Sequence, residues 1–375
     1  MPTLFSRATR ARSVVALATV AWIGSSTIAC GADVEQSGPA GSSTDVATDQ
    51  LYAVADRHDV IVMRGVVELS RTPAELVGLN DLMRFTEDSR FVIWTEGAGN
   101  DRVVVAITAG TDSQVVRIPC RCSRVVPIGG SKVAWIDAPV DPSEPDVLRS
   151  ADLAESTGPS VWRTLETVPS PSQPGERWNR NHVMLGSRGN RVLIGHTESQ
   201  VGSDAVKHEV FAISTDGEIA QYGPVPDVGG YLRSGVFDPR GEAVAVLADN
   251  TVDPRCRQAV VAVSGSHGTG FRTAVPQDSG CTSAQSIDWN SDRPSVVVRY
   301  RSTDDAQGAD AGFQRWQYST VWQEMPAPVF TVHTRDKSTL TLEPGDSPTS
   351  LSATFSAGGK HTVVAQGVRT IAVPE

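Results

Sequence analysis

The sequence predicts an all-β protein, a six-bladed β-propeller with seven blades as the alternative count, behind a signal peptide and a flexible tether. Three observations predict it. One hairpin pattern recurs six times, starting at Phe85, Pro127, Leu185, Phe237, Trp289 and Phe355, at spacings of 42 to 66 residues. No helical periodicity competes with it; Thr72 to Met83 has room for one helical turn and nothing longer. The first 49 residues divide into a leader with a basic head and an apolar run, then a polar Gly/Ser-rich stretch.

The leader, 1–29, has a basic head (Arg7, Arg10, Arg12), an apolar run from Val14 to Ile23 and small residues up to Cys30. That is the layout of an export signal. A membrane-spanning helix needs about 20 mostly apolar residues, and Gly24, Ser25, Ser26 and Thr27 dilute this run too early. Thr27-Ile28-Ala29-Cys30 resembles the lipobox of bacterial lipoproteins, with the required small Ala29 and with Thr27 where Leu is commoner. The resemblance implies that Cys30 is lipidated and becomes the mature N-terminus, outside the cytoplasm and anchored to the cell membrane. Simple secretion is the alternative.

Residues 30–49 are polar, rich in Gly and Ser and free of aromatics. Such a segment cannot bury enough surface to fold. It reads as a tether, and about 20 flexible residues span roughly 25 Å. Residues 1–29 hold three Arg and no acid, so the chain from Cys30 onward carries 30 Lys+Arg against 43 Asp+Glu, a net charge of −13. That balance argues against a nucleic-acid partner and against adhesion to anionic lipid surfaces.

Residues 50–375 read as one propeller domain. Each hairpin copy begins with a hydrophobic or aromatic residue, or Pro127 in the second, turns through Asp, Pro, Ser, Asn or Gly with a charge, and continues into an apolar strand such as Phe91-Val92-Ile93-Trp94 or Val244-Ala245-Val246. The turn residues supply the backbone angles of a tight hairpin. A strand apolar on both faces belongs between two sheets. Repeats of strand units at 40–60 residues indicate a propeller. A more alternating strand follows each hairpin, as in Val103–Ile107, and then a weaker edge strand, as in Phe271–Val275. Thr215-Asp216-Gly217-Glu218 joins third and fourth strands as a hairpin turn. Residues 51–71 are strand-like and are expected to close the ring against Val363–Ala365 and Thr370–Ala372; forming a short seventh blade is the alternative.

Phe237-Asp238-Pro239-Arg240-Gly241-Glu242 and Phe355-Ser356-Ala357-Gly358-Gly359-Lys360 resemble the Phe-Ser-Pro-Asp-Gly-Lys box of TolB-type, WD-repeat-like propellers. The resemblance spans about 290 residues. It implies a fold and no particular activity, since propellers of this type act as scaffolds, ligand binders and appendages to peptidases.

Four cysteines follow Cys30. Cys256 falls in the connection between second and third strands of the fourth repeat, and Cys281 in the connection leading to the fifth. Both connections lie on one face, so a Cys256–Cys281 disulfide is expected, while Cys120 and Cys122 flank Arg121 and are close enough to bond to each other. A zinc reading of Cys120 and Cys122 fails for want of a second ligand pair.

No Gly-x-Ser-x-Gly elbow, His-Glu-x-x-His motif, phosphate-binding loop or dinucleotide fingerprint is present. Trp178-Asn179-Arg180-Asn181-His182 combines residue types that sugar and peptide sites use, and Trp178, Arg180 and His182 are the candidate ligand-binding residues. Asp249–Asp253 and Asp304, Asp305 and Asp310 lack calcium-loop spacing and read as solvated loops. Trp316 and Trp322 read as packing between blades. No metal, cofactor or catalytic residue is assigned. The expected function is a non-catalytic, membrane-tethered, extracytoplasmic propeller that binds a protein or cell-envelope component through its loop face. A propeller lyase or hydrolase acting on an extracellular glycan or peptide is the alternative.

Overall fold

A computed structural model of the chain describes residues 50–56, 58–74, 83–141, 144–155, 158–165, 178–202, 206–253, 256–265, 270–274, 281–290, 293–301, 310–318, 321–326, 330–333, 338–345 and 351–374. The leader, the tether and Cys30 lie outside them. Among the described residues the only helix is one 3-10 turn, Gly99–Asp101, and no helix is long and apolar enough to cross a membrane.

Seven four-stranded antiparallel sheets form the blades. Blade 1 joins β1 (Leu51–Ala55), β2 (Asp59–Arg64) and β3 (Val67–Pro73) to the last strand of the chain, Thr370–Ala372. Blade 2 is β4 (Arg84–Phe85), β5 (Phe91–Glu96), β6 (Val103–Thr108) and β7 (Val115–Pro119). Blade 3 is β8 (Val125–Pro127), β9 (Lys132–Asp137), β10 (Asp146–Asp152) and β11 (Ser160–Leu165). Blade 4 is β12 (Trp178–Arg188), β13 (Arg191–Gln200), β14 (Val206–Ser214) and β15 (Ile219–Pro224). Blade 5 is β16 (Tyr231–Phe237), β17 (Val244–Asp253), β18 (Cys256–Ser264) and β19 (Phe271–Ala274). Blade 6 is β20 (Cys281–Asn290), β21 (Arg293–Arg301), β22 (Asp310–Tyr318) and β23 (Trp322–Met325). Blade 7 is β24 (Phe330–His333), β25 (Thr339–Pro344), β26 (Leu351–Ala357) and β27 (Lys360–Val368); β28 is Thr370–Ala372. First strands follow one another around the ring, β28 against β4, β4 against β8, β8 against β12, β12 against β16 and β16 against β20.

Side-chain alternation explains why the second strands are apolar throughout. Val92 and Trp94 of β5 enter the core shared with blade 1, while Phe91 and Ile93 enter the core shared with blade 3. Val192 and Ile194 of β13 face blade 3, and Leu193 faces blade 5. Each sheet thus buries both faces against its neighbours. Where a second strand ends, its core turns polar in a repeated way. Trp94 Nε1 donates to Glu96 Oε1 at 2.9 Å, and Trp135 Nε1 donates to Asp137 Oδ1 at 3.0 Å. Arg117 then pairs with Glu96, and Arg149 with Asp137, each at 2.6 Å.

The ring has seven blades, the alternative count, and not six. The hairpins at 85, 127, 185, 237 and 289 are inner strand pairs of blades 2 to 6 as expected. The hairpin at Phe355 is instead the outer pair β26–β27 of blade 7. The inner pair of that blade is β24–β25, and β25 reads Thr-Leu-Thr-Leu-Glu-Pro with only Leu340 and Leu342 buried. It lacks the two-sided apolar run that marks the other inner pairs. Accordingly Phe85 and Phe237 are buried toward the preceding blade, Trp289 is partly buried toward it, and Phe355 faces blade 1, stacked on Tyr52 at 5.7 Å.

Closure joins the chain ends through Ala53↔Ala372, Val54↔Ile371 and Ala55↔Thr370. Val363 and Ala365 take no part in it; they pair with Thr354 and Ala353 inside blade 7. The Phe237 box works as turn chemistry. Asp238 Oδ1 accepts the Ala243 N–H at 2.9 Å, and Gly241 adopts φ 73, where a side chain is strained. The expected Cys256–Cys281 disulfide is formed, with Cα atoms 5.0 Å apart, and Cys120 and Cys122, whose pairing the sequence leaves open, bond to each other with Cα atoms 5.2 Å apart.

Candidate ligand-binding site on the loop face

Strand direction alternates within each blade, so the connections from fourth to first strands and from second to third strands share one face. Both disulfides lie on it. So does the end of β12 that carries Arg180 and His182. These two are brought together with partners, as the register dictates: Arg180 lies opposite Glu198 and His182 opposite His196 on β13. Arg180 Nε donates to Glu198 Oε1 at 2.9 Å. His182 Nδ1 and the His182 backbone N–H both meet Asp146 Oδ2 of blade 3 at 2.9 Å. The His182 and His196 rings stand 4.7 Å apart, and Phe211 meets His182 edge-on at 6.3 Å. His196 Nε2 is 3.5 Å from Glu198 Oε1, within reach of an ion pair but without hydrogen-bond geometry.

Trp178 pairs with Gln200 through the backbone; its side chain lies outside the description. Arg180 and His182 were found from residue type alone. Asp146, His196 and Glu198 were missed. His196 and Glu198 alternate along the strand that follows the hairpin, so a period of two from Ile194 would have placed them on the blade 3 side. Asp146 comes from a different blade, and only the ring geometry brings it to His182.

The electrostatics favour a neutral ring at His196 and at His208. Burial, aided by the neighbouring His182, holds the His196 ring below its usual pKa, against the pull of Glu198 and Glu209. On the opposite face of the sheet, His208 of β14 is pushed down to about 4, chiefly by burial. Its Nδ1 meets Thr197 Oγ1 at 2.9 Å. A hydroxyl beside an imidazole is the pairing that activates a nucleophile, yet both groups are buried. His182 is as enclosed, its side chain only 4% exposed.

A second group sits in blade 5. Asp249 accepts from Arg233 Nε at 2.6 Å and from the Ala284 N–H of blade 6 at 3.2 Å. Asp249–Asp253 is therefore strand with its first carboxylate committed, not the solvated loop expected from sequence. Asp304 and Asp305 lie outside the described residues. Among the described residues no group of three His, Cys, Asp or Glu side chains is placed to hold a metal ion. Trp316 and Trp322 lie on separate strands and both pack against the core between blades 5 and 6.

No family model and no curated protein sequence matches the chain. Solved structures do. A Bacteroides uniformis protein described as a candidate 6-phosphogluconolactonase is 11% identical, with a TM-score of 0.50 over 86% of this chain and 99% of that one. A Lactobacillus plantarum protein is 11% identical, with a TM-score of 0.48 over 86% and 98%. TolB from Acinetobacter baumannii is 10% identical, with a TM-score of 0.42 over 75% of this chain and 64% of that one. At such identities the likeness concerns the fold alone: the chain is a β-propeller.

Proposed function

We propose that this protein is a non-catalytic binding scaffold, tethered outside the cytoplasm by a lipid on Cys30, that engages a protein or cell-envelope component through its loop face. One observation carries the reading. His182, the residue best suited to be a catalytic base, is enclosed and committed through both its ring and its backbone to Asp146. A buried side chain bonded twice to the neighbouring blade holds the two blades in register and is not free to act on a substrate. The same face presents exposed apolar and aromatic residues at its rim, Val140, Val201 and Tyr231, and aromatic anchors are what interfaces use.

Two experiments test it. A photo-crosslinking residue at Val201 or Tyr231 is expected to trap an envelope component in living cells, while one at Val66, on the turn of the opposite face, is expected to trap nothing. Adducts from Val66 alone, or from none of the three, reject loop-face binding. Cys30→Ser is expected to leave the precursor uncleaved or release the protein from membranes; a cleaved variant that stays membrane-bound rejects the lipid anchor.

The convergence of Arg180 and His182 with two carboxylates keeps a second reading, a lyase or hydrolase acting on an extracellular glycan or peptide. Turnover of such polymers that is abolished by His182→Gln, with the fold retained, would establish it in place of the first.

A further inference from the structure

We propose that the linker between blades 4 and 5, residues 225–230, is a latch closed over His208 and released by acid. Its inner side is anchored by Val225 and Val228, each 5% exposed and set in the core that the two blades share. The Val225 N–H donates to the His208 carbonyl at 2.9 Å. Its outer side is held by one side chain of blade 5. Asn250 Oδ1 accepts the Gly229 N–H at 2.7 Å, and Asn250 Nδ2 donates to the Asp227 carbonyl at 3.2 Å.

The linker pays for this path in backbone freedom. Asp227 sits at φ 57, a left-handed conformation that a residue with a Cβ adopts only when its surroundings enforce it. Gly230 passes so close to β17 that a Cβ there would stand 1.7 Å from the Asp249 carbonyl oxygen. A few polar contacts and two valines thus hold a strained segment in place.

Beneath it, His208 is 2% exposed, and its Nε2 lies near the latch carbonyls of Val228 and Gly230 without full hydrogen-bond geometry. The surroundings offer a charged ring little. Carbonyls of Val228 and Gly230, in the latch itself, are the groups that favour the charge, and His196 across the strand opposes it. From β12 and β13 come the neutral Asn181 and Thr197. Lys207 and Glu209 alternate to the other face of β14. From β15 comes Tyr222; from the latch, the exposed Asp227. From β16 and β17 come the apolar Leu232 and Ala248; Asp249 faces blade 6, bound to Arg233 and to the Ala284 N–H. No carboxylate stands ready to pair with a protonated His208, so protonation requires water, and lifting the latch admits it.

The size of the effect follows from linkage. A ring with a pKa of about 4 when covered and its ordinary 6.5 when open multiplies the opening equilibrium about fifty-fold between pH 7 and pH 4.5. Opening uncovers Val225, Val228 and the Thr197–His208 pair on the loop face. The inference rests on the linker's geometry and stands whether or not that face binds a partner.

Hydrogen exchange on the full chain tests it, read at the amides of residues 225–231 and corrected for the intrinsic effect of pH. Wild type is expected to show about fifty-fold more opening at pH 4.5 than at pH 7. His208→Asn, which can keep the bond to Thr197 and cannot be charged, is expected to show no such rise. Asn250→Ala is expected to raise exchange already at pH 7. A flat wild-type profile, or the same acid rise in His208→Asn, overturns the proposal. Should His208→Asn fail to fold, the wild-type ring decides by NMR titration: a midpoint near 4 that coincides with latch opening supports the proposal, and a midpoint near 6.5 with the latch still protected overturns it.

Discussion

Gly186 and Gly235 set how closely blades 4 and 5 approach at the axis. A Cβ on Gly186 would stand 2.2 Å from the Gly235 carbonyl oxygen, and one on Gly235 would stand 2.7 Å from Leu193 Cδ2. The first contact is with backbone and cannot be relieved by a rotamer change. Gly186→Ala is therefore expected to cost about 1–3 kcal/mol, the usual range for overpacking, read as a lower urea midpoint with an unchanged slope. Gly189→Ala offers the control, because open space surrounds that position, although its φ of 57 carries a strain of its own. An equal or larger loss at Gly189 would show that turn strain, not blade approach, is the limiting term. At this scale the sequence was only half legible. Arg180 and His182 announced themselves by residue type, and their partners did not. Glu198 and His196 look like ordinary strand positions until β13 is given a direction, and Asp146 belongs to another blade 36 residues away in sequence.

The disulfides act at the scale of elements. Cys256 opens β18 and Cys281 opens β20, so their bond ties the third strand of blade 5 to the first strand of blade 6. It closes a loop with a sequence separation of 25, for which the chain-entropy argument gives about 3 kcal/mol. Cys256→Ser with Cys281→Ser is expected to lose about that much stability, measured by chemical denaturation under non-reducing conditions. A loss below about 1 kcal/mol would mean that the ends of β18 and β20 are held by pairing alone. The placement of both cysteines was readable in advance because five inner hairpins have an unmistakable pattern, and strand order follows from them. Blade 7 escaped for the converse reason. Its inner strand β25 buries one face only, through Leu340 and Leu342, so the pattern that identifies a strand packed between two sheets is missing.

For the whole molecule the decisive element is a strand of three residues, β28. Seven sheets can bury their faces only if the ring has no ends. Three residue pairs between β28 and β1 complete blade 1. On one side that blade shares a core with blade 2 through Ala53, Ala55, Val60 and Val62. On the other it shares a core with blade 7 through Tyr52, Val54, Ile61 and Met63. Removing residues 370–375 leaves β1 as an unpaired edge and strips Thr370 and Ala372, both buried, from that junction. Removing residues 31–49 takes away only a polar segment with too little apolar surface to fold. The first deletion is expected to lower the melting temperature by roughly 10 °C or more, the equivalent of several kcal/mol for a domain of this size, and to expose aggregation-prone edges; the second is expected to leave it unchanged within about 2 °C. Equal melting temperatures would show that the blades are stable without closure. That result would make the pairing of the chain ends a consequence of the ring and not its cause.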